Sequence, residues 1–198
     1  LSTKIIHSGI STERFRQFVK QPNKDFLTIL CVAAIKRRKG IVHLMRAIAT
    51  VREHYPGIRC VVIGSSEYGP DYLTEVQSEI TRLRLHDCVQ LLGHVKETTL
   101  LHWYSKADVF VLPAVNDDWR FEGYGLSYLE AGAAQLPVIG TTNCGAEDAI
   151  EHGLTGLLVP EERLRDELPK AILRLLSNPN MRKRMGIAGR KKAEGQSW

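Results

Sequence analysis

The run LTILCVAA at residues 27–34, followed by the basic turn KRRKG at 36–40 and by a segment of helical period, decides the fold of this chain. The run is apolar and contains β-branched residues, as a buried strand does. In the segment after the turn, apolar side chains recur at helical spacing, at Ile41, Leu44, Met45 and Ile48, which predicts one apolar face of a helix. A buried strand that leads into such a helix is the building unit of a parallel α/β sheet.

The same alternation continues along the chain. A second helical face is predicted from Leu73, Val76, Ile80 and Leu83. Predicted strands lie at 4–7, 27–34, 59–64, 89–92, 109–112, 137–139 and 156–159. Because helices between parallel strands cover both faces of a sheet, we expect an α/β fold, a Rossmann-like three-layer α/β/α domain with a mainly parallel sheet. No linker or repeat interrupts the pattern, so we expect residues 1–198 to form a single domain.

Composition excludes several classes of protein. The 27 basic and 22 acidic residues are interspersed and leave a net charge of +5, which is a modest preference for anions and not the imbalance of a nucleic-acid-binding protein. No run of about 18 apolar residues and no charged-then-apolar leader is present, so the sequence predicts neither a transmembrane helix nor a signal peptide. The sequence begins at Leu1 and not at methionine, and we expect that upstream residues are missing.

The cysteines and aspartates give no sign of a metal site. Cys31, Cys60, Cys88 and Cys144 lack any Cys-x-x-Cys spacing, so we expect free thiols, mostly buried, in a reducing cytosol. The seven histidines are scattered and do not complete a zinc site. No Asp-x-Asp occurs, and the neighbours Asp117 and Asp118 alone do not predict a magnesium or manganese site.

The basic turn lies where ligands bind in an open α/β sheet, at the carboxyl ends of the strands. Four cations at 36–39 precede Gly40 and the first predicted helix. Positive side chains are unfavourable at a helix N-terminus unless an anion joins them, so the turn predicts a diphosphate clamp. The alternative interpretation is a solvated surface turn. Gly64 also follows a predicted strand and is a candidate for the same edge.

A second candidate stretch, FEGYGLSYLE at 121–130, places Glu122 and Glu130 eight positions apart around Gly123 and Gly125. We expect Glu122 in a loop and Glu130 on the following helix, where even a continuous helix would separate them by roughly 80°. The two carboxylates therefore contact different parts of one ligand. A dinucleotide-binding fingerprint is excluded, since Tyr128 stands where its third glycine belongs.

This E-x7-E stretch resembles the motif of the retaining glycosyltransferases of family 4 (glycosyl transferases group 1), which have the GT-B fold. Lys39-Gly40 is similar to the Lys-Gly of that family, and further similar stretches lie at 105–113, 143–147 and 152–160. The family's arginine position falls on Ala34, which is a departure. The second cation then either comes from Lys36, Arg37 or Arg38, with Arg38 as our candidate, or is missing.

The resemblance implies a donor-binding domain, the C-terminal half of a GT-B enzyme, whose N-terminal acceptor domain is not present in this chain. It implies catalytic roles for Glu122, which contacts the donor sugar, and for Lys39, which binds the diphosphate. Glu130 would accept hydrogen bonds from the two hydroxyls of the ribose. The remaining donor-binding residues would be Arg38, Gly64, Val95 on the base-contacting loop, and the backbone of Gly123, Tyr124, Gly125 and Leu126.

The implied reaction is metal-independent transfer of a sugar, with retention, from a nucleoside-diphosphate sugar to a saccharide or lipid-linked acceptor. The substrate nucleotide is UDP, GDP or ADP, and no cofactor or nucleic acid is expected. The isolated domain would bind its donor weakly and transfer little. Two alternatives stay open: a GT-B-like nucleotide-sugar epimerase half-domain and a non-catalytic nucleotide-binding module.

The surroundings of the site are less determined by sequence. Trp119 and Arg120 are candidates for the acceptor side of the cleft, with a loop tip as the alternative. Basic residues at 182–184 and 190–192 lie on a helix that we expect to begin at Asn178-Pro179. They suggest peripheral contact with an anionic membrane, but a solvated helix face is the favoured interpretation. The expected location is the cytoplasm, including its membrane face.

Overall fold

Six parallel strands form one sheet in the computed structural model, which describes residues 9–15, 26–67, 69–118 and 121–196. They are β1 (Thr28–Val32), β2 (Arg59–Ile63), β3 (Val89–Leu91), β4 (Val109–Val111), β5 (Val138–Thr141) and β6 (Gly156–Val159). Their spatial order is β3-β2-β1-β4-β5-β6, and every neighbouring pair is parallel. The predicted α/β sheet is confirmed.

Seven α-helices in the described part of the chain connect and cover the strands: α1 (Ile41–His54), α2 (Pro70–Arg82), α3 (Glu97–Lys106), α4 (Leu126–Ala133), α5 (Ala146–Ala149), α6 (Leu164–Leu176) and α7 (Pro179–Glu194). α1 packs against α2 and α6, whereas α4 packs against α5 and α7. The separation of α1 and α2 from α4 and α5 follows from right-handed crossovers, which place the helices before and after a reversal of strand order on opposite faces. α6 and α7 follow the last strand and are not crossovers.

Each predicted helical face packs as its spacing indicates. Ile41, Leu44, Met45 and Ile48 are buried on α1. On α2, Val76 and Ile80 are buried, while Leu73 and Leu83 are partly buried against the core. α7 begins directly after Asn178, whose side chain accepts a 2.8 Å hydrogen bond from the Met181 amide. The expected helix start at Asn178-Pro179 is therefore confirmed, with the capping interaction as its cause.

The observed strands are shorter than most of the predicted runs because the flanking apolar residues continue into loops. The run at 137–139 is displaced, since its strand extends to Thr141. The predicted strand at 4–7 lies outside the described residues. Within 9–15, 26–67, 69–118 and 121–196, no helix is long and apolar enough to cross a membrane.

The strand order reverses between β1 and β4, which are neighbours in the sheet although β2 and β3 intervene in sequence. At such a point the loops after the two strands diverge to opposite faces and leave a crevice at the carboxyl edge. The loop after β1 carries the basic turn, and the loop after β4 carries Glu122. The fold thus places the two candidate motifs on the two sides of one crevice.

Candidate functional site

Backbone contacts join the two loops at the crevice. The Val115 amide in the loop after β4 donates a 2.9 Å hydrogen bond to the carbonyl of Arg38 in the basic turn. Gly40, at φ 63°, lies so close to the same loop that an added Cβ would stand 1.8 Å from the Pro113 carbonyl oxygen. Only glycine combines this left-handed backbone with so close an approach. The chain therefore fixes the basic turn against the end of β4.

A cluster of three charges occupies the junction. Lys39 and Arg38 both donate to the same carboxylate oxygen of Glu122, Oε2, and Arg38 Nη1 lies 2.8 Å from it. Glu122 and Lys39 are almost fully buried, with 7% and 9% of their surfaces exposed, and the Arg38 side chain is 28% exposed. Buried charges persist in proteins where they are paired. The cluster carries one net positive charge and points to an anion as its natural partner.

The pocket above this cluster holds about 460 Å³ and is lined by Lys39, Ser127 and the backbone-rich segment 122–126. α4 begins here at Leu126, directly after Gly125, which has φ 71° and, as the N-cap residue, offers no side chain to bond the first amides. The first amides of a helix have no carbonyl partner within the helix and carry a partial positive charge. Lys39 and the α4 N-terminus thus converge on one pocket, which suits a phosphate group.

Three contacts that sequence reasoning missed hold the loop carrying Glu122 in place. The Gly145 amide donates a 2.8 Å hydrogen bond to the Glu122 carbonyl. An added Cβ on Gly145 would stand 1.6 Å from the Gly123 carbonyl oxygen, so the segment between β5 and α5 lies directly beneath the loop. Tyr124 and Tyr128 donate hydrogen bonds to Gln196 Oε1 (2.7 Å) and to the Leu112 carbonyl (2.6 Å). These partners are distant in sequence, so only the fold reveals them.

The rest of the basic turn is paired in a way that the sequence did not indicate. Arg37 Nη2 lies 2.7 Å from Glu75 Oε2, and its guanidinium stacks on the Tyr72 ring at 5.3 Å. The Tyr72 hydroxyl in turn accepts a 3.0 Å hydrogen bond from the Val42 amide in the first turn of α1. Arg37, one of the three candidates for the second cation, is therefore paired within the protein. Within the described part of the basic turn, Lys39 lines the pocket beside Glu122, and Arg38 contacts the Glu122 carboxylate without lining that pocket.

Glu130 lies apart from that pocket. Its side chain is 20% exposed and forms an ion pair with Arg14 Nη2, and its Oε2 accepts a 3.1 Å hydrogen bond from the Tyr104 hydroxyl. Glu130, Gly64 and Val95 do not line the 460 Å³ pocket as the described residues define it. Gly64 joins the ends of neighbouring strands, since its amide donates a 2.9 Å hydrogen bond to the Gly93 carbonyl. The predicted residues thus divide into two groups, and Gly64, Val95 and Glu130 lie outside the 460 Å³ pocket.

Residues 12–192 match the family model described as Glycosyl transferases group 1. The chain belongs to this family. A GDP-mannose-dependent alpha-(1-6)-phosphatidylinositol monomannoside mannosyltransferase from Mycobacterium tuberculosis is 29% identical, over 96% of this chain and 50% of that enzyme. The chain spans about half the length of the curated relatives it matches.

Solved glycosyltransferases share the fold. A glycosyltransferase from Rickettsia africae superposes with a TM-score of 0.85 at 20% identity, over 98% of this chain and 52% of that chain. The C-terminal domain of a glycosyl transferase group 1 family protein (LpcC) from Francisella tularensis superposes with a TM-score of 0.74 at 22% identity, over 95% of this chain and 98% of that chain. The Rossmann-like architecture expected for a GT-B glycosyltransferase is confirmed.

The basic residues of α7 do not form one solvated patch. Arg182 Nη1 donates to the Leu175 and Leu176 carbonyls at 2.7 and 2.6 Å, at the C-terminal end of α6. Arg190 Nη1 donates to the Phe15 and Ala133 carbonyls at 3.0 and 2.7 Å. The solvated-face interpretation is therefore wrong for these two residues, which join structural elements. This weakens the case for membrane contact.

Two further expectations concern residues around the site. Trp119 and Arg120, candidates for the acceptor side, lie outside the described residues. The four cysteines are free, and three of them are buried while Cys144 is partly buried. Among the residues that the structure describes, no three His, Cys, Asp or Glu side chains are grouped so that they could hold a metal ion.

Proposed function

We propose that this chain is the donor-binding, C-terminal domain of a retaining, metal-independent glycosyltransferase that uses a nucleoside-diphosphate sugar. The observation that carries the proposal is the convergence of Lys39, Arg38 and the uncapped α4 N-terminus beside Glu122 at the β1–β4 crevice. The acceptor is a saccharide or a lipid-linked molecule. Membership of the glycosyl transferases group 1 family supports the reaction class.

The diphosphate binds over Lys39 and the amides at 123–126. Glu122 already neutralises part of the charge on Lys39 and Arg38, so the cations are held in position before the donor arrives. A preorganised cation stabilises a developing anion without reorganisation at the moment of reaction. The side chain of Lys39 shifts its hydrogen bond from Glu122 to a phosphate oxygen. Glu122 then accepts a hydrogen bond from a hydroxyl of the donor sugar.

In the transfer step, the bond between the anomeric carbon and the phosphate oxygen breaks and the electron pair leaves with the nucleoside diphosphate. Lys39 and the α4 amides stabilise that charge. The acceptor hydroxyl oxygen bonds to the anomeric carbon on the same face of the sugar, which retains the configuration, and the hydroxyl proton passes to the departing diphosphate oxygen on that face. The positive charge that stabilises the anionic leaving group comes from side chains and backbone amides, so the proposal requires no metal ion.

The acceptor site and the remaining catalytic groups belong to an N-terminal domain of the whole enzyme. The match to the separate Francisella C-terminal domain supports this division, since the two chains cover nearly all of each other. The 198-residue chain should therefore bind donor nucleotides without transferring sugar at a useful rate. GDP is the first nucleotide to test because the Mycobacterium tuberculosis relative is GDP-mannose-dependent; UDP and ADP follow.

Isothermal titration calorimetry of the 198-residue chain with GDP, UDP and ADP tests the proposal. We expect one of the three to bind, and Lys39→Met to weaken that binding by about tenfold, the effect of one lost charge-assisted hydrogen bond. Lys183→Met is the matched control, because Lys183 is exposed on α7. Binding should be the same in EDTA as in magnesium.

Four results would contradict the proposal or one part of it. The wild-type chain could bind none of the three nucleotides, or Lys39→Met could bind as tightly as Lys183→Met. A requirement for magnesium would reject the metal-independent part alone. Retention is tested in the whole enzyme by the anomeric configuration of the product in proton NMR, where an inverted product would reject it.

A further inference from the structure

Glu130 is held by two residues from distant parts of the chain. Arg14, in a 3₁₀ turn at Glu13–Phe15, pairs with Glu130 through Nη2, and Tyr104 of α3 donates to the other carboxylate oxygen at 3.1 Å. Arg14 Nη1 also lies 3.4 Å from Oε1 of Glu97, at the start of α3. One guanidinium therefore joins the middle of α4 to the segment that carries Val95.

The turn carrying Arg14 is itself fixed. Phe15 is fully buried, with its ring edge-on to the Tyr104 ring at a centroid distance of 5.8 Å. Arg190 donates from one nitrogen to the Phe15 carbonyl at 3.0 Å and to the Ala133 carbonyl at 2.7 Å, which ties the turn to the last residue of α4. Because its backbone is held at Phe15, Arg14 presents its guanidinium to Glu130 in a defined direction.

The carboxylate still has room for a ligand. An ionised carboxylate offers about four acceptor positions, and Arg14 and Tyr104 use one on each oxygen. The Glu130 side chain is 20% exposed, so one edge remains open. Burial raises the pKa of Tyr104 well above its usual value, and the charge of Glu130 acts in the same direction. The phenol therefore remains a proton donor to Glu130.

From this geometry we infer that Arg14 and Tyr104 are positioning residues, which orient Glu130 so that its free acceptor positions receive the cis-diol of the donor ribose. The inference rests on the proposed function and on the role that the family resemblance implies for Glu130, which is to bind the ribose of the donor. Through Glu97, Arg14 also sets the distance between the ribose-binding carboxylate and the Val95 loop that faces the base. A buried Arg14 Nε without a hydrogen-bond partner in the described part of the chain indicates that packing alone does not favour this placement.

Discrimination between ribose and 2′-deoxyribose tests this role. The probes are the nucleoside diphosphate that binds most tightly among GDP, UDP and ADP, and its 2′-deoxy form, titrated into the 198-residue chain. We expect the wild type to bind the ribose form about tenfold more tightly, as one hydrogen bond to a charged group provides. Arg14→Met and Tyr104→Phe should each bring this ratio below about threefold while changing the affinity for the deoxy form little.

Two comparisons separate positioning from general stability. Arg14→Lys keeps the positive charge but cannot contact Glu130 and Glu97 with two separate nitrogens, so its preference for ribose over deoxyribose should lie between those of Arg14→Met and the wild type. Arg165→Met, at an exposed arginine of α6, should leave the ratio unchanged. If Arg14→Met fails to fold, Tyr104→Phe decides the outcome, because it removes one hydroxyl and keeps the ring packing.

Several outcomes would overturn the inference. Equal weakening of both nucleotides in Arg14→Met and Tyr104→Phe would indicate a purely structural role. If the wild type bound the ribose and deoxyribose forms equally tightly, Glu130 would not bind the diol. The proposed function would still stand in that case, because the nucleotide itself binds. A wild-type chain that binds neither form would overturn both the inference and the proposed function.

Discussion

The Lys39 ammonium and the Glu122 carboxylate form a buried ion pair that joins the loop after β1 to the loop after β4. These loops meet where the strand order reverses, so the pair lies at the opening of the crevice. A buried ion pair adds little net stability compared with apolar packing, whereas removal of one partner leaves the other uncompensated. The pair is best explained by function, since it keeps a cation beside the 460 Å³ pocket.

Glu122→Gln should affect two ligands in opposite directions. Without the carboxylate, Lys39 and Arg38 lose their counter-ion, and we expect inorganic pyrophosphate to bind more tightly than in the wild type, by about threefold or more. The sugar hydroxyl of a nucleotide sugar should lose its charged acceptor and keep at most the weaker amide oxygen, so the advantage of the nucleotide sugar over the free nucleotide should shrink. Calorimetry with pyrophosphate, nucleotide and nucleotide sugar measures all three.

The same variant should lower the free energy of unfolding by about 1–3 kcal/mol, less than for a fully buried pair because Arg38 is 28% exposed. Glu162→Gln, at an exposed acid, is the control. If Glu122→Gln binds pyrophosphate no better than this control does, Glu122 does not hold the two cations for a phosphate.

The parts of the site that sequence could predict are those carried by short motifs. The basic turn, the Gly-Tyr-Gly loop and the α4 start are local, and the structure places all three on one crevice. The partners of Glu130 could not be predicted, because Arg14 and Tyr104 lie 116 and 26 positions away from it in sequence. The pairing of Arg37 with Glu75 and the capping of α1 by Tyr72 likewise depend on how α2 packs.

Gly145→Ala should damage the site without touching a ligand. The new Cβ would stand 1.6 Å from the Gly123 carbonyl oxygen, so the loop carrying Glu122 must move. We expect nucleotide affinity to fall by about tenfold and the free energy of unfolding to fall by about 1–3 kcal/mol, in the range for overpacking. Gly57→Ala is the matched control, since nothing lies within 4 Å of its added Cβ. Equal affinities in the two variants would show that the support under the loop is dispensable.

Glu79 should make the stability of the chain depend on acid pH. The residue is 8% exposed, and its carboxylate accepts hydrogen bonds from Arg82 and Arg46, which lower its pKa from 4.5 to about 2. Because the pKa is lower in the folded state, the unfolded chain binds the proton first as pH falls. The contribution of Glu79 is therefore complete above about pH 5 and is lost between about pH 4.5 and pH 2.

Urea denaturation of Glu79→Gln measures this contribution. At pH 7 we expect the variant to be about 1–2 kcal/mol less stable than the wild type, a modest value because both arginines are more than half exposed. The difference should shrink as pH falls below 4.5. Glu53→Gln, at an exposed acid of α1, should show little difference at any pH. A difference for Glu79→Gln that stays constant down to pH 3 would contradict the ion-pair explanation.

The four thiols should react with a thiol reagent in an order set by their surroundings. Burial raises the pKa of Cys31 to about 12 and that of Cys60 well above its usual value, and both side chains are inaccessible. Cys144 is partly exposed, and burial raises its pKa less, so it should react first, although more slowly than a free thiol. Because Cys144 precedes Gly145 beneath the Glu122 loop, a bound nucleotide should slow the labelling of Cys144 and leave the labelling of Cys31 and Cys60 unchanged.

Mass spectrometry after timed alkylation at pH 8 gives the order in which the thiols react. Labelling in denaturant, where all four should react alike, is the control. Native labelling of Cys31 as fast as Cys144 would contradict the buried position of β1 in the sheet.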